Sequence, residues 1–497
     1  MTFVALTGWV PDADATAPGV ILDCTALIPS VRGMKGAPAA ISSGVSALGA
    51  AALGAGLVID LAGTSYSYAG TATGLYKAGA SAWSDVTRAF ASGGAYTAST
   101  DTRWRFAQFG NTTLATQKAD WMQFSNSGAT FDNVVLSVTK FPPKSSLAET
   151  AQGFVVLADC NDSGAGLGTS YGDQANRWWC SAQFDYTDWT PAAITQCTTG
   201  LLVDSPGKIT GLKRLGASLV AYKDTSLYLG TYVGPPAVWQ WQMVPGEAGT
   251  ASHESVVDIG DAHLFVGKSD FYRFDGSRPA PIGDGMREWF FSQLNASYAY
   301  KIVALHDKPA GNVYWFYPSG SSSSLNACVV FNYKTGKWGK ADRSIEAAVT
   351  YASGGLAYSG LDTYTYATLP AVSYDSPFWG GGGGATMAII NTSHVLQFLT
   401  GTADSSSLTT SDFGSDARFS TLRRVRPRYL TAPSAATMVP SYRDLTGATL
   451  TARPAVTQST GKFDYLKSSR WHRFAITFTG AVELTGLDID AVNDGLE

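Results

Sequence analysis

Along most of this chain apolar and small polar residues alternate with a period of two, in short runs each ended by Gly, Asn, Asp or Ser. Successive side chains of a strand point to opposite faces, so this rhythm predicts half-buried strands joined by tight turns. The segment GLVIDLAGTSYSYAGTATGLYKAGASAWSDV, from Gly56, carries it with glycines at the bends. In RWRFAQFGNTTLATQKADWMQF, Phe106 and Phe109 precede a Gly110-Asn111 turn and the strand resumes at Leu114, a hairpin signature. GFVVLADCND through NRWWCSAQFDYTDW repeats the arrangement around a Gly/Ser-rich loop, and ITGLKRLGASLVAYKDTSLYLGTYV turns at Asp224-Thr225. SVVDIGDAHLFVGKSDFYRFDGSRPAPIG has turn signals at Gly260-Asp261, between Lys268 and Asp270, and at Asp275-Gly276, which fits a four-stranded meander. In NVYWFYPSGSSSSLNACVVFNYKTGKWGKA, the run Tyr333 to Gly336 predicts a type I turn closed by glycine in the left-handed region. One helical island is predicted, MREWFFSQLN, where Trp289, Phe290 and Leu294 recur at three-to-four spacing.

These six stretches share one order of parts, and Trp189, Trp239, Trp289, Trp338 and Trp379 fall roughly forty to fifty residues apart, as if closing successive units. A small four-stranded sheet cannot bury both faces alone, whereas sheets repeated about an axis give each face a neighbour. The pattern predicts an all-β chain whose residues 56–379 form a β-propeller of six to eight blades, with Trp338 returning its strand to the hub. Residues 1–55, punctuated by PDADATAPG and PSVRGMKGAPAA, read as an extended arm laid over other structure. The tract WGGGGGA, Trp379 to Ala385, reads as a joint. Beyond it, MAIINTSHVLQFLTG, RFSTLRRVRPRYL, ATMVPSYRDLTG and RWHRFAITFTG with AVELTGLDIDAV predict a small C-terminal β-sandwich over 380–497, able to lend a strand to the first blade.

Composition agrees with that class: aromatics are 12%, charged residues only 15%, and 53 glycines are spread through 497 residues. The formal net charge of -4 gives no global basic field for nucleic acid. Five cysteines, Cys24, Cys160, Cys180, Cys197 and Cys328, form no CxxC pair and predict reduced, buried thiols. The first residues lack a basic region followed by an apolar one, so no secretory leader is expected. VSALGAAALGAGLVI, from Val45 to Ile59, is too short to span a bilayer, and no membrane insertion is expected.

Catalytic chemistry finds little footing. His253, His263, His306, His394 and His472 form neither HxH nor HExxH, so no metal site and no cofactor are predicted. There is no GxSxG elbow, and Gly380 to Gly384 lacks the Lys-Ser or Lys-Thr that a phosphate loop requires. A propeller glycosidase would need two facing carboxylates; Asp120, Asp159, Asp188, Asp270 and Asp362 are candidates, but they stand mostly in turns and the SxDxGxTW turn is missing. No catalytic residue is predicted. A cluster of Arg418, Arg423, Arg424, Arg426 and Arg428 stands out, in which Arg424, Arg426 and Arg428 would share one strand face and could meet phosphates, or carboxylates of another subunit. A solvated strand that blunts a sheet edge accounts for the same arginines.

In order, WRFAQFGNTTLAT, WWCSAQFDYTDWTP, GKITGLKRLGASLVAYKDTSLYLGTYVG, SVVDIGDAHLFVGKSDFYRFDG and VVFNYKTGKW resemble the propeller of tailed-bacteriophage nozzle or hub proteins of the tail tubular B type, over most of residues 60–350. The arm and the C-terminal region match only loosely. This resemblance implies a non-enzymatic virion protein, made in the host cytoplasm and assembled as a homo-hexameric ring below the portal and adaptor. Such a ring would surround the channel through which double-stranded DNA leaves, with Arg424, Arg426 and Arg428 as candidate channel or inter-subunit contacts. The alternative is a receptor- or glycan-binding protein of the tail-fibre type, stacking sugars on aromatics at a propeller mouth.

Overall fold

The computed structural model describes residues 2–137, 139–352, 365 and 385–495. The chain is all-β, and its strands build a β-propeller. Six separate four-stranded sheets are blades, and a seventh meander forms the start of a ten-stranded sheet. Blade 1 begins at Ala55–Ile59, blade 2 at Arg105–Phe109, blade 3 at Lys144–Ala151, blade 4 at Gly211–Leu215, blade 5 at Val257–Asp258, blade 6 at Val303–Asp307 and blade 7 at Ile345–Tyr351. These first strands lie side by side round a closed ring, and blade 7 returns to blade 1. At blade 5 the 3-10 turn His253–Ser255 fills the gap between the first strands of blades 4 and 6.

The predicted turns fall between strands as expected. Phe109 pairs with Thr112 across Gly110-Asn111, where Gly110 has φ 60°. Gly336, at φ 69°, donates its N–H to the Asn332 carbonyl at 2.8 Å and closes the hairpin of blade 6. The helical island is a short helix, Arg287–Gln293, with Phe290 fully buried.

Period-two alternation explains why the ring holds together. In the second strand of blade 3, Phe154, Val156 and Ala158 enter the cluster shared with blade 4. Val155 and Leu157, pointing the other way, enter the cluster shared with blade 2. Each of seven apolar clusters lies between two neighbouring blades. At about 1.5–3 kcal/mol for each large apolar side chain buried, these inter-blade clusters are the main force closing the ring.

The N-terminal arm is spent within the chain. Thr2–Ala5 pairs with the last strand, Glu483–Gly495, and Val20–Thr25 pairs with Ser405–Thr410. Leu27–Pro29 joins the outer strand of blade 6 through the Leu27–Lys340 pair, and Met34–Gly36 joins Leu27–Pro29 on one side and Glu483–Leu484 on the other. One ten-stranded sheet therefore runs from blade 6, through the arm, into the C-terminal domain. Ala39–Ser42 then supplies the fourth strand of blade 7, paired with Leu396–Gly401.

Behind blade 6 the strand Phe419–Thr431 and its partners face the sheet of Ala435–Arg443 and Trp471–Thr479. Val425, Leu487 and Phe463 from one side meet Met438, Phe474 and Ile476 from the other in a sandwich core. That core is continuous with the cluster between blades 5 and 6, which holds Trp315 and Trp338.

Several expectations are corrected. The borrowed strand comes from the arm and completes the last blade, not from the C-terminal domain to the first. Blade 7 runs on through Thr386–Asn391 and Leu396–Gly401, past the boundary expected at residue 379. Blade 7 spans that boundary because Ile389 and Ile390 pair with the Ile345–Tyr351 strand and are buried by blades 6 and 1. Nor do the tryptophans mark equivalent positions. Trp239 and Trp338 lie on outer strands rather than at the hub, Trp189 in a turn of blade 3 and Trp289 on the helix. Trp379, the Gly380–Gly384 tract and Asp362 lie outside the described residues.

Candidate functional site at the propeller axis

On one face of the ring the segments leading into blades 2 to 6 converge around a cavity of about 190 Å³. Arg103 and Arg105 come from the entry to blade 2, Ser146 from the first strand of blade 3, Lys208 from the entry to blade 4 and Tyr300 from the entry to blade 6. Lys118 reaches in from the loop after the second strand of blade 2.

A salt bridge spans the axis here. Arg105 donates from Nε to Glu254 Oε1 at 2.7 Å and from Nη2 to Oε2 at 3.1 Å, and its Nη1 donates to the Ser146 carbonyl at 2.8 Å. Both partners are largely shielded, with side chains 15% and 21% exposed. Burial pushes the Glu254 carboxyl upward, but the Arg105 charge and its hydrogen bonds outweigh that and hold it at about 2. His253, beside it, is fully enclosed, and burial keeps its imidazole well below the ordinary range; its Nδ1 accepts the Leu212 N–H at 3.2 Å.

Asp159 is aimed into the mouth by a bulge. The pairing of its strand slips between Ala158 and Cys160, and Asp159 itself adopts φ 56°. Its carboxylate accepts from Lys118 Nζ at 2.6 Å and from Ser146 Oγ, and Lys118 also pairs with Asp173 at 2.7 Å. At the opposite lip Tyr300 donates to Asp101 at 2.7 Å, and Lys301 pairs with the same carboxylate at 3.3 Å. Burial and the Asp101 hydrogen bond push the Tyr300 phenol up to about 12, so it remains a donor.

The other side of the axis is different in kind. A cavity of about 410 Å³ is walled by the first strands of blades 1, 5, 6 and 7, with Leu57, Val256, Leu305 and Val349 among its lining. The mouth is charged and tied across, while the second cavity mixes aliphatic side chains with Asp258, His306 and Thr350.

The sequence-predicted sites stand elsewhere. Arg424, Arg426 and Arg428 do share the outward face of the sandwich strand Phe419–Thr431, opposite buried Val425 and Pro427. Acids of their own chain accompany them: Arg424 lies 3.8 Å from Asp464 and 3.9 Å from Asp490, Arg428 lies 2.8 Å from Asp488, and Arg426 sits opposite Asp488 in register. Arg423 falls at a slip in the pairing and Arg418 just before the strand. The stripe is thus a mixed-charge face.

The described carboxylates weighed for glycosidase chemistry are not brought together. Asp120 pairs with Arg88 at 3.0 Å, Asp159 serves the axial mouth, Asp188 caps the Thr190 N–H at 2.9 Å and Asp270 accepts from Phe271 and Gly283 N–H groups. The histidines are scattered too: His263 bonds Tyr222 at 2.7 Å, His394 pairs with Glu346 at 2.7 Å and His472 contacts the Ser420 carbonyl at 3.1 Å. Among the described residues no group of three or more His, Cys, Asp or Glu could hold a metal ion, and no helix is long and apolar enough to cross a membrane. Among the described residues the exposed large aromatics are Phe3, Tyr171 and Phe184, and none of these lines the axial mouth.

No family model and no curated protein matches the chain. Solved structures similar to it include YCF48 from Cyanidioschyzon merolae, 10% identical, covering 73% of this chain and 98% of that one with a TM-score of 0.38. A chain of the mitotic checkpoint complex is 7% identical over 72% of this chain and 92% of its own, with a TM-score of 0.39. The extracellular domain of the putative one-component system BT4673 from B. thetaiotaomicron is 9% identical with a TM-score of 0.40; the match covers 87% of this chain and 48% of that one. The propeller assignment rests on the strand pairing itself.

Sequence reasoning singled out only Asp159 of the axial cluster, and for a different chemistry. The Arg-Trp-Arg run at 103–105 reads as an ordinary strand start, and nothing in the spacing ties it to Glu254, 149 residues away. Only closure of the ring makes them neighbours.

Proposed function

We propose that this chain is a structural virion protein of a tailed bacteriophage, a nozzle or hub that assembles as a homo-hexameric ring below the portal and adaptor. The observation that carries the reading is the stitching of propeller to sandwich by the arm, which makes one stiff body out of what would otherwise be two domains on a joint. A wall that must hold its shape under load needs that continuity. The order of the blade sequences, similar to the nozzle propellers, supports the same assignment.

In this reading DNA passes between copies rather than along the propeller axis. The axial mouth is crossed by the Arg105–Glu254 pair, and its cavity of about 190 Å³ is far too small for a duplex. The mixed-charge face of Arg424, Arg426 and Arg428 suits a channel wall or subunit contact, because Arg424 and Arg428, already matched by Asp464, Asp490 and Asp488, release few counterions to a passing polyanion and retain it weakly. Because the arm is consumed inside the chain, the sandwich and the blade edges are the surfaces left for assembly.

Electron microscopy of the purified chain, alone and mixed with portal and adaptor proteins, tests the proposal. Six-fold rings that cap the adaptor are expected. A chain that stays monomeric in both conditions and is absent from purified particles overturns it.

A further inference from the structure

The charge pairing of the axial mouth is uneven. Four cations, Arg103, Arg105, Lys118 and Lys208, line the cavity with two carboxylates, Asp101 and Asp159, and two further carboxylates, Glu254 and Asp173, pair with Arg105 and Lys118 from just outside the lining. Both lining carboxylates are engaged, Asp159 by Lys118 and Ser146 and Asp101 by Tyr300 and Lys301. Arg105 in turn is held by Glu254. Among the described residues Arg103 and Lys208 form no ion pair, although both border the same space.

Arg103 is also oriented. Its Nη1 donates to the carbonyls of Thr100 at 3.2 Å and Thr102 at 3.1 Å, which fixes the guanidinium plane and leaves Nε and Nη2 without a protein acceptor. Burial and the neighbouring Arg105 charge weaken its hold on its proton despite Glu254 nearby, the condition an arriving anion would relieve. Lys208 is exposed at the lip, where a mobile ammonium can follow a ligand inward. The frame does not have to move, because the Arg105–Glu254 tie and the Lys118–Asp159 pair lock the surrounding blades.

We infer that this mouth is a binding site for a small phosphate-class oxyanion, with Arg103 and Lys208 as its direct charge partners, held in a frame set by the ion-paired Arg105 and Lys118. The one free edge of the Arg103 guanidinium, Nε with Nη2, matches two phosphate oxygens, and two cations without an ion pair favour a dianion over a single carboxylate. The cavity of about 190 Å³ admits inorganic phosphate or the headgroup of a phosphate monoester. The inference concerns the isolated chain and stands apart from the virion reading.

Isothermal titration of the full chain with inorganic phosphate at low ionic strength tests it, with adenosine monophosphate as a second arm and acetate as a third. Saturable one-to-one binding is expected with Kd of about 1 mM or tighter, weakened at least tenfold in the Arg103→Gln, Lys208→Gln double variant and unchanged in Arg426→Gln. Lys208→Gln alone, at an exposed position, is expected to fold normally and to weaken binding about threefold. Tighter binding of the monoester identifies a small organic phosphate as the source, and equal binding identifies free phosphate. No saturable heat up to roughly 20 mM, acetate binding as well as phosphate, or equal affinity in the double variant overturns the site. So does a single-stranded oligonucleotide that outcompetes phosphate with a steep salt dependence.

Discussion

Arg105 and Glu254 meet across the propeller axis, joining the entry of blade 2 to the entry of blade 5 through two hydrogen bonds of 2.7 and 3.1 Å. The two residues are on opposite sides of the seven-membered ring, so the pair works as a spoke. Inter-blade clusters hold neighbours; this contact holds blades that share no strand and no cluster.

The spoke makes a prediction about acid. Glu254 is held at about 2 against an ordinary value of 4.5, so its contribution is complete above pH 4.5 and disappears as pH falls towards 2. Glu254→Gln should cost up to roughly 3 kcal/mol at neutral pH, from the depressed pKa and the uncompensated Arg105. Urea unfolding of both proteins, followed by tryptophan fluorescence, should show the gap closing between pH 4.5 and pH 2. A gap that is constant with pH rules out the ion pair as its origin.

Two glycines stand at the seams where the arm joins its neighbours. A Cβ on Gly339 would lie 2.5 Å from the Leu27 carbonyl and 2.8 Å from Ile28 Cα, on the blade 6 side; one on Gly33 would lie 2.1 Å from the Leu484 carbonyl, on the sandwich side. These obstacles are backbone, so the strands must part. Gly339→Ala and Gly33→Ala should each destabilise the protein by about 1–3 kcal/mol. Limited proteolysis should then expose the arm in both variants, whereas Gly216→Ala, at a turn with open space around it, should leave the arm protected.

Much of this architecture was legible in the chain, and the parts that were not share a cause. Turns such as Gly110-Asn111 and Tyr333 to Gly336 declare themselves because the backbone conformation demands particular residues within a few positions. The unbroken apolar run FVVLA declares a strand buried on both faces. The destination of Ala39–Ser42 in blade 7 is another matter, since its partner Gln397 lies hundreds of residues away and no local signal encodes the pairing. The tryptophan spacing misled for the same reason: blades of similar length bring large side chains back at similar intervals, but Trp189 and Trp239 fill two different clusters while Trp289 and Trp338 share a third. The Arg424, Arg426 and Arg428 face was readable from period two, while the acids that accompany it came from other strands.

All five cysteines are buried and unpaired. Burial pushes the thiols of Cys24, Cys160 and Cys328 well above their ordinary value and that of Cys180 up to about 12. Thiolate is the reactive form, so the native protein should be inert to iodoacetamide at pH 8 while the urea-unfolded chain takes up five labels. Intact-mass measurement reads both. Rapid native labelling of any cysteine would show that the sheet holding it opens.

Asp412 offers the sharpest contrast between buried and surface charge. Its carboxylate is wholly enclosed in the sandwich and is shared by Arg443, 2.5 Å away, and Arg473, 2.7 Å away. Removing the charge of the acid leaves two guanidinium groups facing each other in a shielded site, which is far costlier than loss of the attraction alone. Asp412→Asn should therefore lower stability by about 3–5 kcal/mol. Asp488→Asn, which breaks the pair with exposed Arg428, should leave the melting temperature close to that of the wild type, because solvent replaces the lost partner. If thermal melts show equal losses for the two substitutions, the sandwich is held by its charged face as much as by its interior, and the Arg424, Arg426 and Arg428 stripe becomes part of the fold rather than a surface free for assembly.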